Sequence, residues 1–215
     1  MNILYKALIL LILFVGIMSC GSSRKALEEA LAQAKKDSIA LAKLKEKSAD
    51  KLEQVKIAPI QRKYAVVMGV EAQTINIPLF KFIDKWIETP YKMGGETKSG
   101  IDCSFFAQYL FHDVYGNLIE RTAQKQFDAP STSKFLGQKY LVEGDLLFFN
   151  LEGSEFMPIT HVGVYLGNGR FVHSTARRAA NGKNGVQISN LKSQHWQKLF
   201  VAAGRKPNPI RNIEN

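Results

Sequence analysis

The sequence predicts an α+β fold in which helices come first and an antiparallel sheet follows. Apolar residues in the first half recur at helical spacing, those in the second half form short β-type runs, and glycine-rich turns separate these runs. Helices that precede a block of strands usually pack on one face of an antiparallel sheet. A chain of 215 residues with 46% apolar composition has room for one such domain and an extension.

The first twenty residues carry the pattern of an export signal. Lys6 is the only charged residue ahead of an apolar stretch over residues 7–17. A membrane span needs about 20 residues, so this stretch has the length of a signal peptide instead. Small residues then surround Cys20, and this segment resembles the lipobox of bacterial lipoproteins. The resemblance implies that residues 1–19 are removed and that Cys20 is lipidated; an ordinary or uncleaved signal peptide is the alternative.

Residues 20–57 are predicted to form a helical stalk behind the lipid anchor. Positions of a heptad seam recur at alternating steps of four and three: Leu27, Leu31, Ala34, Ser38, Leu41, Lys45, Ser48, Leu52 and Val55. Because polar residues interrupt this seam, we expect a solvated stalk and a monomer. A weak coiled-coil dimer is the alternative.

The remaining chain divides into three parts. Pro59 ends the helical pattern, and residues 58–77 are expected to connect the stalk to a domain over residues 78–207, which a tail over 208–215 follows. Within the connection, residues 64–70 are interpreted as a short strand or a packing segment.

Two helices and several strands are predicted within the domain. The helices cover residues 78–88 and 103–115, with a glycine-rich loop over 90–100 between them. The strands cover residues 145–149, 160–166 and 170–174, and two more could cover 185–189 and 199–203. Gly167-Asn168-Gly169 is a hairpin signal between the second and third of these strands. No phosphate-binding loop or Cys/His zinc pattern is present, so we expect no cofactor and no metal.

The two cysteines have different expected roles. If Cys20 is lipidated, Cys103 has no partner for a disulfide within the chain. A free thiol in an oxidising compartment is either buried and inert or kept for its reactivity. Cys103 stands at a predicted helix start, where the helix dipole and free amides stabilise the nucleophilic thiolate. The sequence therefore predicts a reactive thiol.

Two histidines are candidates for the base that such a thiol needs. His161 opens one predicted strand and His173 closes the next, so the hairpin brings both imidazoles close together. One ring can take the thiol proton while the other orients it. A zinc site built from the cysteine and both histidines is the alternative, although no fourth ligand is evident. His112 and His195 are interpreted as structural or exposed.

Six short motifs occur in one order and together resemble the NlpC family of cell-wall cysteine peptidases. They cover residues 90–95, 100–104, 121–123, 143–149, 161–169 and 171–174. The resemblance runs from about Pro78 to Arg205 and implies a papain-like fold, with N-terminal helices packed on a central antiparallel sheet. Phe105 stands where the family often has glycine.

The resemblance also implies site residues. Cys103 would be the nucleophile, His161 the base and His173 its orienting partner. Tyr91 corresponds to a tyrosine whose hydroxyl lines the oxyanion site. Asp102 and Ser104 correspond to residues that help to bind the free amine of a peptide stem.

The implied activity is that of a thiol protease acting on peptidoglycan. Relatives typically cleave the amide between D-γ-glutamate and diaminopimelate in stem peptides, and the net charge of +10 suits an anionic polymer. Alternatives on the same residues are an N-acetylmuramoyl-L-alanine amidase, an acyl or peptide transferase, or a non-catalytic envelope-binding lipoprotein. We expect stem peptides and, through the lipid anchor, a membrane as partners, with no nucleic acid. The expected location is the cell envelope, at the periplasmic face of the outer membrane.

Overall fold

The computed structural model describes residues 24–47 and 57–207, apart from 179–181 and 183. The chain forms two compact units, Met1–Ile57 and Ala58–Asn215. In the first unit, residues 24–47 form one helix, α1, whose side chains are exposed throughout. No helix among the described residues has both the length and the apolar character to cross a bilayer. The predicted signal peptide, Cys20 and the tail over 208–215 lie outside the described residues.

The second unit begins with three helices, α2 (Pro59–Met68), α3 (Ile77–Trp86) and α4 (Cys103–Tyr115). Pro59 starts α2 and does not end a helix, because proline fits the first turn, where its missing N–H has no acceptor to lose. Of the two interpretations of residues 64–70, the strand is wrong and the packing segment is confirmed, because α2 runs to Met68 and buries two of its side chains. Tyr64 and Met68 point from α2 into the main core, so the predicted connection belongs to the folded unit.

Local signals set the ends of α3 and α4. The Asn76 side chain caps α3 by accepting a hydrogen bond from the Leu79 N–H at 3.2 Å. Gly116 ends α4 in the left-handed conformation, at φ 62°. The predicted bounds of α4 are thus confirmed, whereas α3 ends two residues earlier than predicted. A short hairpin of β1 (Glu96–Thr97) and β2 (Gly100–Ile101) lies within the predicted loop.

A six-stranded antiparallel sheet forms the second layer, in the order β3-β8-β4-β5-β6-β7. Its strands are β3 (Ser133–Phe135), β4 (Leu146–Phe149), β5 (His161–Gly167), β6 (Arg170–Thr175), β7 (Gly185–Asn190) and β8 (Phe200–Arg205). All five strands predicted from the sequence are present. Strand β3 and two six-residue helices, α5 (Ala123–Asp128) and α6 (Gln194–Leu199), were not predicted from the sequence.

Helix α4 packs against β5 and β6, and this contact positions the site. Phe106, Ala107 and Leu110 of α4 are fully buried in the main core. The buried Ser174 hydroxyl of β6 donates a hydrogen bond at 2.7 Å to the carbonyl of Ile101, just before α4. The start of α4 is therefore joined directly to the strand that carries His173.

Candidate active site

Cys103 is the first residue of α4 and is only 7% exposed. Asp102 caps the helix, since its side chain accepts the Phe105 N–H at 2.7 Å. The thiol does not take part in a disulfide. It lines an open groove between the start of α4, the loop before β1 and the end of the loop that leads into β5.

Burial decides the protonation of this thiol. It raises the pKa of Cys103 to about 11, although backbone N–H groups of Val162, Ser104 and Cys103 itself lower it. The amides expected at the helix start are therefore present, but burial outweighs them. The predicted thiolate is not the resting form: the thiol keeps its proton at neutral pH.

His161 and His173 lie on the neighbouring strands β5 and β6. Val164 pairs with Val172 in this ladder, so the two histidines share one face of the sheet in a diagonal arrangement. His161 Nε2 and His173 Nδ1 are 2.7 Å apart, a hydrogen-bond distance. Burial lowers the pKa of His161 to about 4 and that of His173 well below its usual value. Both rings are therefore neutral near pH 7.

Trp196 and Ser189 complete the surroundings of the histidine pair, and neither was predicted from the sequence as a site residue. The Trp196 ring stacks on His161 at 5.6 Å between centroids and meets His173 edge-on at 4.8 Å. The Ser189 hydroxyl lies 2.9 Å from His173 Nε2. A large apolar residue within the polar run before β8 was the signal for Trp196. No pattern in the sequence singled out Ser189.

The other two histidines differ in position. His112 is exposed on α4 beside Asp113, as the sequence predicted. His195 is half-buried against Trp196, at 4.8 Å between ring centroids, and its charge lowers the pKa of His161. His195 therefore lies much closer to the site than its polar neighbours suggested.

Arg121 organises the predicted substrate-binding residues. Its guanidinium donates to both carboxylate oxygens of Asp102, at 2.9 and 3.3 Å, and to the Ser104 hydroxyl at 3.1 Å. A further bond reaches Glu96 at 3.1 Å. Phe105, the departure from the family pattern, packs its ring against the same guanidinium at 4.5 Å. The charge of Asp102 is thus paired within the chain.

Tyr91 stands across the groove from these residues. It pairs with Ile101 in an isolated bridge, and burial raises the pKa of its phenol, as do the nearby Cys103 and Asp102. Its hydroxyl lies 3.6 Å from the Met93 sulfur. The groove thus brings together four of the predicted residues, Tyr91, Asp102, Cys103 and Ser104.

The described residues contain no cluster of three or more His, Cys, Asp or Glu side chains arranged to hold a metal ion. What the site offers is a buried thiol, two neutral imidazoles in hydrogen-bond contact and a polar groove. This combination can pass a proton from a sulfur to a ring nitrogen while the sulfur attacks a carbonyl carbon.

Two curated relatives are similar to slightly more than half of this chain. The murein DD-endopeptidase MepS/murein LD-carboxypeptidase of Escherichia coli is 34% identical over 120 residues, which are 56% of this chain and 57% of that protein. The bifunctional muramidase/DL-endopeptidase CwlT of Bacillus subtilis is 39% identical over 124 residues, 56% of this chain and 33% of that protein. The chain therefore spans little more than half the length of the first relative and a third of the second.

The fold and a family profile agree with these matches. A crystal structure of an NlpC/P60 family protein from Bacillus cereus has a TM-score of 0.51 and 24% identity, covering 60% of this chain and 39% of that one. The predicted α+β class is confirmed. The profile of the NlpC/P60 family matches residues 88–205, which is more than half of the chain. The chain belongs to the NlpC/P60 family.

Proposed function

We propose that this protein is a peptidoglycan endopeptidase that uses Cys103 as its nucleophile, His161 as its base and His173 as the orienting partner. The observation that carries the proposal is the 2.7 Å contact between His161 Nε2 and His173 Nδ1, together with a buried Cys103 thiol that accepts a hydrogen bond from the backbone N–H of Val162, the residue after His161. The relatives' names support the substrate class, since both are endopeptidases and one is called a murein enzyme.

The chemistry follows from the neutral resting state. Because the pKa of Cys103 is high and that of His161 low, the thiol proton moves only when the sulfur attacks the scissile carbonyl. The backbone N–H groups of Cys103 and Ser104 at the start of α4, which already face the sulfur, and the Tyr91 hydroxyl, which lines the same groove, are suited to stabilise the oxyanion that forms. His161 then gives the proton to the leaving amine, and water releases the acyl group by the reverse steps.

The proposed bond is the amide between D-γ-glutamate and diaminopimelate, or its equivalent in another stem. The DL-endopeptidase relative supports this choice, and the DD-endopeptidase relative makes a DD bond the second candidate.

Defined muropeptides test the proposal. The full chain, purified in detergent with Cys103 reduced, is expected to convert uncross-linked muropeptides into two stem fragments that mass spectrometry identifies. A DD-endopeptidase would instead leave these monomers intact and split cross-linked dimers. Release of the whole stem from the sugar would indicate an amidase, and intact monomers and dimers would contradict the proposal.

We also propose that Cys20 carries a lipid and that α1 forms part of a stalk holding the enzyme in the cell envelope. The residues around Cys20 support this proposal, as does the exposed helix over residues 24–47. Cells fed with an alkyne fatty acid are expected to label the wild-type chain but not Cys20→Ala. Equal labelling of both chains would contradict lipidation at this residue.

A further inference from the structure

The His173 ring has a hydrogen-bond partner at each of its nitrogens. Nδ1 faces His161 Nε2 at 2.7 Å, and Nε2 faces the Ser189 hydroxyl at 2.9 Å. His173 is fully buried, with 0% of its surface exposed, so no bulk water reaches either nitrogen. A neutral imidazole has one N–H and one bare nitrogen, so one contact must use it as a donor and the other as an acceptor. The direction of one hydrogen bond therefore determines the direction of the other.

Two arrangements of hydrogens satisfy this chain of contacts. In the first, His173 Nε2–H donates to Ser189, His173 Nδ1 accepts from His161 Nε2–H, and His161 Nδ1 is bare. In the second, Ser189 donates, every bond runs the other way, and the proton of His161 stands on Nδ1. Because His161 Nε2 is engaged with His173, only the first arrangement leaves a nitrogen that can accept the proton of Cys103.

The position of Ser189 favours the first arrangement. Ser189 lies on β7, the edge strand of the sheet, and is half-buried. Its hydroxyl can therefore donate its own proton to water and keep its lone pairs for His173. Trp196 covers both imidazoles, which limits their rotation toward other partners.

We propose that Ser189 is a positioning residue that accepts a hydrogen bond from His173 Nε2–H and so sets the tautomers of both histidines for catalysis. Its catalytic consequence rests on the endopeptidase function proposed above. The tautomers themselves are a property of the resting protein.

The proton balance of the reaction agrees with this role. As the carbon–sulfur bond forms, the Cys103 proton moves to His161 Nδ1, and it leaves on the departing amine when the carbon–nitrogen bond breaks. Water then gives a proton to the same nitrogen as its oxygen attacks, and that proton returns to the sulfur when the carbon–sulfur bond breaks. His161 Nε2–H donates to His173 throughout, so Ser189 neither gains nor loses a proton.

Nitrogen-15 NMR of the labelled full-length chain tests the proposal, because ring couplings distinguish an Nδ1–H tautomer from an Nε2–H tautomer. In the wild type, both His161 and His173 are expected to be Nε2–H. Ser189→Ala should mix the tautomers and lower kcat about tenfold with KM unchanged, the size expected for one lost hydrogen bond. Ser189→Thr keeps the hydroxyl and should have the tautomers and the kcat of the wild type.

Ser193→Ala, a second serine outside the histidine contacts, is the matched control and should leave tautomers and kcat as they are. An Nδ1–H tautomer of His161 in the wild type, or wild-type tautomers in Ser189→Ala, would overturn the proposal. If the tautomers follow the prediction but the wild type cleaves no muropeptide, the endopeptidase function fails while the assignment of Ser189 stands.

Discussion

Cys103→Ser is expected to lower the turnover of muropeptides by at least about 10⁴-fold. A serine hydroxyl is far less acidic than a thiol, and burial at 7% exposure makes its ionisation still harder. The proposed base is weak, since the pKa of His161 is lowered to about 4. Serine at this position therefore has neither the intrinsic acidity nor a base strong enough to become a nucleophile.

The control for this experiment is the affinity of the variant for an uncleaved muropeptide, measured by calorimetry. The substitution changes one atom, and Asp102 still caps α4 through the Phe105 N–H, so affinity should stay close to that of the wild type. Product formation by Cys103→Ser at the wild-type rate would show that the thiol is not the nucleophile. Loss of affinity together with turnover would point to a binding role instead.

His161→Gln is expected to lower kcat/KM by about 10²–10⁴-fold, the range for removal of a general base. Glutamine keeps a polar side chain near His173 but cannot accept the thiol proton. The wild-type rate should fall only when the pH drops toward about 4, because the low pKa keeps His161 neutral above that value. Protonated His161 has no free nitrogen, so acid removes the base.

The pH profile of this variant should differ in shape as well as in height. Without the base, the reaction depends on the thiolate, and its fraction rises with pH because burial raises the pKa of Cys103 to about 11. The residual rate should therefore increase steadily through the alkaline range. His112→Gln, an exposed position on α4, is the matched control and should keep the wild-type profile. A wild-type acid limb in His161→Gln would contradict the role of His161.

Much of the fold could be predicted because its signals are local. The bounds of α4 follow from a capping Asp102 and a terminal Gly116, and the β5–β6 hairpin follows from the Gly167–Gly169 turn. Helix α2 was not predicted because proline both stops helices and starts them, and only packing of Tyr64 and Met68 decides between these roles. The short α5 and α6 are too brief to show a period.

The candidate site likewise has contacts that local sequence predicts and contacts that depend on tertiary packing. The contact between His161 and His173 depends on a hairpin, which is close in sequence and could be foreseen. The partners Arg121, Ser189 and Trp196 reach the site through tertiary packing, and nothing in their immediate sequence specifies that contact. Burial of the thiol also depends on tertiary packing. The helix start alone predicts a lowered pKa for Cys103, whereas burial raises it.

The inner position of β8 has a consequence for biosynthesis. This strand, the last of the sheet in chain order, lies between β3 and β4, so the ribosome makes a central strand of the sheet after both of its neighbours. A nascent chain that stops before Phe200 can contain Cys103, His161 and His173 and still lack the strand that completes the sheet beneath them. The endopeptidase activity proposed above is therefore expected only after synthesis of the domain is finished.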